Sequence, residues 1–219
     1  RVNKIAAVGV STETTGSVFF DGTDDHVNVT SSDIAVGTGD FTLEFFVNFS
    51  SADATLDTIM DTRTGTGASN GFLIGRFHSV GHENKIELYT DSGYRVTADD
   101  SVDNNTWVHV AAVRSSSVTK LYIDGKAQST TYSDTNNYSN DDLIIGENVS
   151  NIYQLDGYLS NFRICKGHAV YTSNFAPPTR ELEVHPETVL LCCYDGELKR
   201  SPYAAMTFPV FSAKMFSPS

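Results

Sequence analysis

The stretch 106–127, TWVHVAAVRSSSVTKLYIDGKA, decides how the rest of the chain is read. Its first part, Trp107-Val108-His109-Val110-Ala111-Ala112-Val113, is apolar on both faces of a pleat and rich in β-branched residues, which predicts a central strand lying between two layers. Leu121-Tyr122-Ile123 then meets Asp124-Gly125, a dipeptide that supplies both positive-φ positions of a type I′ turn, and Lys126-Ala127 leads back. A buried strand followed by a tight hairpin is the expectation.

Upstream, Gly39-Asp40 opens a run in which Phe41, Leu43, Phe45, Val47 and Phe49 share one face of a strand, with Thr42, Glu44, Phe46 and Asn48 on the other. The first set is assigned to the core, which leaves Glu44 exposed to solvent or part of a groove. Ser17-Val18-Phe19-Phe20 enters a turn at residues 21–25, and His26-Val27-Asn28-Val29 leaves it, which predicts a first hairpin. Residues 58–61, 71–77, 85–89 and 94–98 read as further short strands, and 62–71 as a mobile loop. Downstream, 134–142 reads as a surface loop and 143–146 as a short buried strand. Residues 153–164 form another strand, with Leu155, Leu159 and Phe162 toward the core, and 188–194 one more. Residues 166–178 are irregular, because Pro177 and Pro178 forbid helix and central strand.

No stretch sustains a 3.6-residue period and no long repeat recurs, which removes solenoids and propellers. What remains is an all-β fold, an antiparallel two-sheet jelly-roll sandwich. Its expected limits are residues 17–194, preceded by an arm at 1–16 and followed by an apolar tail at 195–219 that docks on a partner or on the sandwich itself.

Composition narrows the function. Fifteen basic against 27 acidic residues give a net charge of −12, which repels a nucleic-acid backbone and favours cations or basic surfaces. No run of 18 apolar residues is present to span a membrane. Cys165, Cys192 and Cys193 lack C-x-x-C spacing, so free thiols are expected rather than a zinc site, with a bridge from Cys165 to one of the pair the alternative. The chain begins at Arg1 without an initiator Met, as a processed protein or a part of a longer one would.

The strings SVFFDGTDDHVNV, GDFTLEFFVNF, WVHVAAVRSSSVTKLYIDGK, LIIG and LDGYLSNFRICKGHAVYTSNFAPPT resemble, in that order, the laminin G-like branch of the concanavalin A-like lectin/glucanase jelly rolls. The last is similar to copies found in structural proteins of tailed, especially marine, bacteriophages. The resemblance covers about residues 17–179. It implies two curved sheets, a concave face that holds sugars in some relatives, and rim loops that bind calcium in some. It further implies a virion component, such as a capsid decoration, head fibre or tail appendage, displayed on the particle surface. Such a component would contact other virion proteins through the arm and tail, form a homo-oligomer, and reach host glycans. A lectin or adhesin is the alternative, and a glycoside hydrolase a third reading.

Tested residue by residue, the chain offers little catalytic chemistry. The E-x-D-x-x-E strand of the glucanase relatives is missing, and no G-x-S-x-G or phosphate loop occurs. Glu181 and Glu183 have i, i+2 spacing but stand among prolines, and Glu83 and Glu87 read as a solvated face. A non-enzyme is therefore expected, with no catalytic, cofactor or metal residue assigned. Asp21, Asp24 and Asp25 place three carboxylates on one turn, a calcium candidate although an Asp-Gly turn needs no metal. His109 reads as a hydrogen-bonded core histidine. Tyr94, Tyr132, Tyr138, Tyr153 and Tyr171 are candidates for stacking on sugar rings, against ordinary packing at a sheet margin. The triplets at Asn28, Asn48, Asn104, Asn137 and Asn148 match the N-glycosylation pattern, as chance allows in so Asn- and Ser-rich a chain.

Overall fold

A computed structural model describes residues 16–53, 55–179 and 181–193. Among them are strands and no helix: β1 (Val18–Asp21), β2 (Val27–Thr30), β3 (Phe41–Phe49), β4 (Leu56–Asp61), β5 (Leu73–Phe77), β6 (Lys85–Thr90) and β7 (Gly93–Thr97). They continue with β8 (Val108–Ser115), β9 (Val118–Ile123), β10 (Lys126–Ser133), β11 (Asp142–Ile145), β12 (Asp156–Lys166) and β13 (Thr188–Cys192). A seven-stranded sheet runs β1-β12-β3-β8-β9-β10, with β13 also paired to β12, and a six-stranded sheet runs β2-β11-β4-β5-β6-β7. All pairings are antiparallel. The fold is an all-β antiparallel two-sheet jelly-roll sandwich, as the alternation of the sequence predicts.

The core lies between the sheets. Phe41, Leu43, Phe45, Val47 and Phe49 of β3 are buried there, against Ile59, Met60, Ile74, Ile86, Leu88 and Val96 of the six-stranded sheet. Phe45 stacks on Phe162 at 5.8 Å, and Phe41 on Phe72 at 5.3 Å. Each such side chain contributes about 1.5–3 kcal/mol when removed from water. Leu155, Leu159 and Phe162 are fully buried, as expected.

The apolar character of β8 on both faces has a second cause besides the core. Residues 167–179 and 181–187, between β12 and β13 and without regular structure, form a strap across the outward face of the seven-stranded sheet. Its Ala169, Tyr171 and Phe175 pack on Ala111, Val113, Tyr122 and Ala127. The strap is tied by backbone as well: Thr42 Oγ1 donates to His168 O and accepts from Val170 N, and Phe175 N donates to Gly125 O.

Several expectations change. The hairpin expected at 17–29 does not form, because β1 pairs with β12 and β2 with β11, so the turn at 21–25 carries the chain from one sheet to the other. Glu44 is fully buried, because the strap covers the face that alternation assigned to solvent or a groove. Trp107 precedes β8 and is 45% exposed rather than central. The segment 134–142 is no simple surface loop. Asp134 is buried, accepting from Thr119 Oγ1 at 2.7 Å and from Tyr138 OH, while Tyr138 packs edge-on against Phe41 and Phe72. Arg114 ties the same segment down, donating to Gly37 O, Gly39 O and Asn136 O. Within 62–71, Thr62 and Arg63 are buried. The three cysteines are free and buried, as the thiol reading expects. The arm at 1–16, apart from Gly16, and the tail at 195–219 lie outside the described residues.

The hairpin forms as expected, with Asp124 at φ 48° and Gly125 at φ 73°. A Cβ on Gly125 would meet Phe175 O at 1.9 Å, since the strap passes directly over the turn. Gly125→Ala should therefore both strain the turn and lift the strap, costing about 2–4 kcal/mol. Urea unfolding of the variant beside the parent chain measures this, and a loss under about 0.5 kcal/mol would contradict the close approach.

Candidate functional site

The strap packs on the seven-stranded sheet around Ala111, Val113, Tyr122 and Ala127, whereas on the six-stranded sheet β4 and β5 are buried throughout and grooves open toward the β2–β11 end. Register places Asn28, Ile144, Asp61, Leu73, Tyr89 and Tyr94 in one row across its six strands, each aligned with the next. At the β2–β11 end a groove of about 490 Å³ opens, with Ile144 and Val149 as apolar lining and Asn28, Thr30, Arg63, Asn140 and Asp142 as polar lining. It continues past Asn28 and Ile144 into a lobe of about 450 Å³ bordered by Asp24, His26, Glu147 and Gln154.

The polar groups are held in place. Arg63 donates to both oxygens of Asp61, at 2.9 and 2.7 Å, and to Thr66 O at 2.6 Å, and its guanidinium lies 5.2 Å over the Tyr89 ring. Asp61 Oδ2 also accepts from Val149 N. Thr30 Oγ1 donates to Asp142 Oδ1 at 2.6 Å, and Asn140 Nδ2 to Thr62 O at 2.8 Å. Beyond Tyr89, Tyr94 meets Phe77 edge-on at 4.9 Å and stacks on His82 at 4.0 Å. His82 Nδ1 lies 2.5 Å from Glu87 Oε1. Burial pushes the Glu87 carboxyl above the ordinary glutamate value against the opposing bonds from His82 and Thr97.

The sequence candidates scatter. Glu87 is buried whereas Glu83 is exposed, so they do not form one solvated face. Glu181 and Glu183 belong to the strap on the other sheet, where Arg163 Nη1 donates to Glu183 O. Of the tyrosines, Tyr94 is 40% exposed at the far end of the row and Tyr153 packs against the cluster of Leu56, Leu73 and Phe77. Tyr132 sits under Arg95, and Tyr171 stacks on Phe175 at 3.6 Å. Tyr138 is buried and unavailable for stacking. Asn148 is buried too, its Oδ1 accepting from Ser150 N and Ile152 N, which rules it out as a glycan acceptor. Arg63, Asn140, Asp142 and Ile144 went unnoticed in the sequence, because only register brings them together.

Asp21, Asp24 and Asp25 do converge, each offering an oxygen within 4.8 Å of the others. Asp21 Oδ1 accepts from Thr23 N and Asp25 Oδ2 from Asp21 N, so the turn already uses two of these carboxylates. The donor set fits calcium in kind and charge, and these three would hold it, supplying about half of its usual 6–8 oxygens.

Under the strap, Glu44 accepts from His109 Nε2 at 3.1 Å, Tyr171 OH at 2.8 Å and Arg163 Nε at 2.9 Å, with Arg163 Nη2 closer still. His109 is thus a buried, hydrogen-bonded histidine, but beneath the strap rather than between the sheets, and its Nδ1 has no partner. Burial opposes ionisation of Glu44. The bond from His109 and the charge of Arg163 outweigh it and hold the carboxyl below the ordinary glutamate value.

Residues 21–169 match a laminin G model described as the concanavalin A-like lectin/glucanases superfamily. The chain belongs to this superfamily. No curated protein matches the sequence. Among solved structures, a candidate carbohydrate-binding protein of Bacteroides ovatus superposes with a TM-score of 0.70 at 17% identity, over 93% of this chain and 60% of its own. The heptameric SAP-like pentraxin of Limulus polyphemus gives 0.54 at 14% identity, over 73% of this chain and 80% of its own. A Trypanosoma rangeli sialidase gives 0.55 at 12% identity, over 73% of this chain and 27% of its own. The chain therefore spans less than two thirds of the Bacteroides protein. At these identities the likeness establishes the lectin-like fold alone. The virion setting expected from the strings draws no support from these relatives.

In this superfamily member the strap should be acid-labile. A carboxyl held low in the folded state contributes stability that is present above the ordinary glutamate value and is lost as pH falls through the lower folded value. Glu44→Gln should flatten that acid limb and, by leaving Arg163 buried without its partner, cost about 3–5 kcal/mol at neutral pH. Denaturation midpoints measured between neutral pH and pH 3 decide it: an unchanged acid limb in the variant would contradict the assignment.

Proposed function

We propose that the protein is a non-catalytic carbohydrate-binding module that seats its glycan in the groove over β2 and β11. The observation that carries this reading is the pairing of an apolar lining, Ile144 and Val149, with amide and carboxylate groups fixed around it. A pyranose has the complementary make-up, an apolar ring face and a rim of hydroxyls that both donate and accept. Asn28 and Asn140 offer both roles, and Asp142 accepts. Groups already fixed by Thr30, Thr62 and Arg63 lose little conformational freedom when a sugar arrives. The lectin-like fold, shared with the candidate carbohydrate-binding protein of Bacteroides ovatus, supports the same reading.

The absence of catalysis is part of the proposal. A glycosidase needs a carboxylic acid and a carboxylate across the scissile bond. In the main lobe Asp61 spends its oxygens on Arg63 and Val149 N, which leaves Asp142 as the one carboxylate there without a cationic partner. The phage-particle role rests on the string at 155–179 and on nothing in the groove beyond a glycan that such a particle would touch.

A glycan array followed by calorimetry on the best ligand tests the proposal. Asn28→Ala and Asp142→Ala should each weaken binding about tenfold, the worth of one well-placed hydrogen bond, while Glu181→Gln on the opposite sheet leaves it unchanged. Binding to no glycan, or binding indifferent to both groove variants, would overturn it.

A further inference from the structure

Resting on the groove as the glycan site, we infer that it selects neutral sugars and rejects acidic ones. The ionisable groups lining the two lobes are Asp24, Asp61, Asp142 and Glu147 against Arg63 and His26. Both basic groups are already matched. Arg63 is buried, with both oxygens of Asp61 taking its Nε and Nη2 donors and Thr66 O taking Nη1. His26 Nδ1 lies 3.0 Å from Asp24 O and 3.5 Å from Glu147 Oε1, so the ring already faces acceptors of the chain itself.

A uronate, sialate or sulfate entering this groove finds no cation to receive it. It meets instead Asp142, whose carboxylate accepts from the neutral Thr30 hydroxyl, and Asp24 at the other lobe. The lobes share Asn28 and Ile144, so a chain bound across both runs past Asp142 in one and Asp24 and Glu147 in the other. Calcium would not reverse the sign, since the three carboxylates of Asp21, Asp24 and Asp25 outweigh a dication. Neutral hydroxyls gain from the same arrangement, because a carboxylate acceptor gives a charge-assisted bond. Recognition of acidic sugars uses bidentate arginines, and the one arginine lining the groove is committed.

The experiment measures affinities for neutral gluco-, galacto- and arabino-oligosaccharides beside galacturonate, sialylated and sulfated counterparts of equal length, at low and physiological salt. The expected result is binding of a neutral oligosaccharide at least tenfold tighter than of its acidic counterpart, with the gap narrowing in Asp142→Asn and at higher salt. An acidic glycan bound as tightly as its neutral counterpart, and weakened by Asn28→Ala, would overturn the selectivity while leaving the groove as the binding site. Failure of every glycan to bind would overturn both the groove and its selectivity. Circular dichroism of each variant confirms that the sandwich is intact.

Discussion

A sheet buried on both faces has to find partners for whatever polar groups its strands carry, and the seven-stranded sheet meets this demand at Glu44. One face of β3 packs in the core, and the other lies under the strap. A carboxylate left unpaired in such a place would cost several kcal/mol, so Arg163, His109 and Tyr171 converge on it from β12, β8 and the strap. The cluster fixes the strap over the part of the seven-stranded sheet formed by Ala111, Val113, Tyr122 and Ala127.

On the six-stranded sheet a second buried ion pair has a different consequence. Arg63 and Asp61 sit at the junction between an aromatic patch, Tyr89 with Tyr94 and Phe77, and the polar groove. By neutralising one another they remove the one strong cation from the groove while keeping its wall rigid. The same pairing that satisfies a burial requirement thus sets the electrostatic character of the groove. An all-acidic surplus there is in keeping with the net charge of −12 of the whole chain.

The strands were legible because period-two alternation is a local property. β3 shows the clearest case, and the Asp124-Gly125 turn follows from φ alone. The same alternation misled at Glu44, since it tells which face a residue takes and not what lies above that face. Tyr138 and Asp134 failed for a related reason: a polar, Asn-rich segment looks solvated until Arg114, Thr119 and Phe72 are known to meet it. Arg114, a lone charge in an apolar strand, was the signal that a network had to exist there. The acidic turn at Asp21, Asp24 and Asp25 was visible as a cluster because its members are neighbours in the chain.

What the sequence determined by itself was the class of fold, the core face of the central strands and the tight hairpin, all of which depend on residues a few positions apart. Only the tertiary structure brought the groove residues together. The groove draws on β2, β11, the end of β4 and the segments around Asn140 and Val149, and their meeting depends on strand order and register. Those are long-range choices, made by the packing of two sheets, and no local pattern of residues records them.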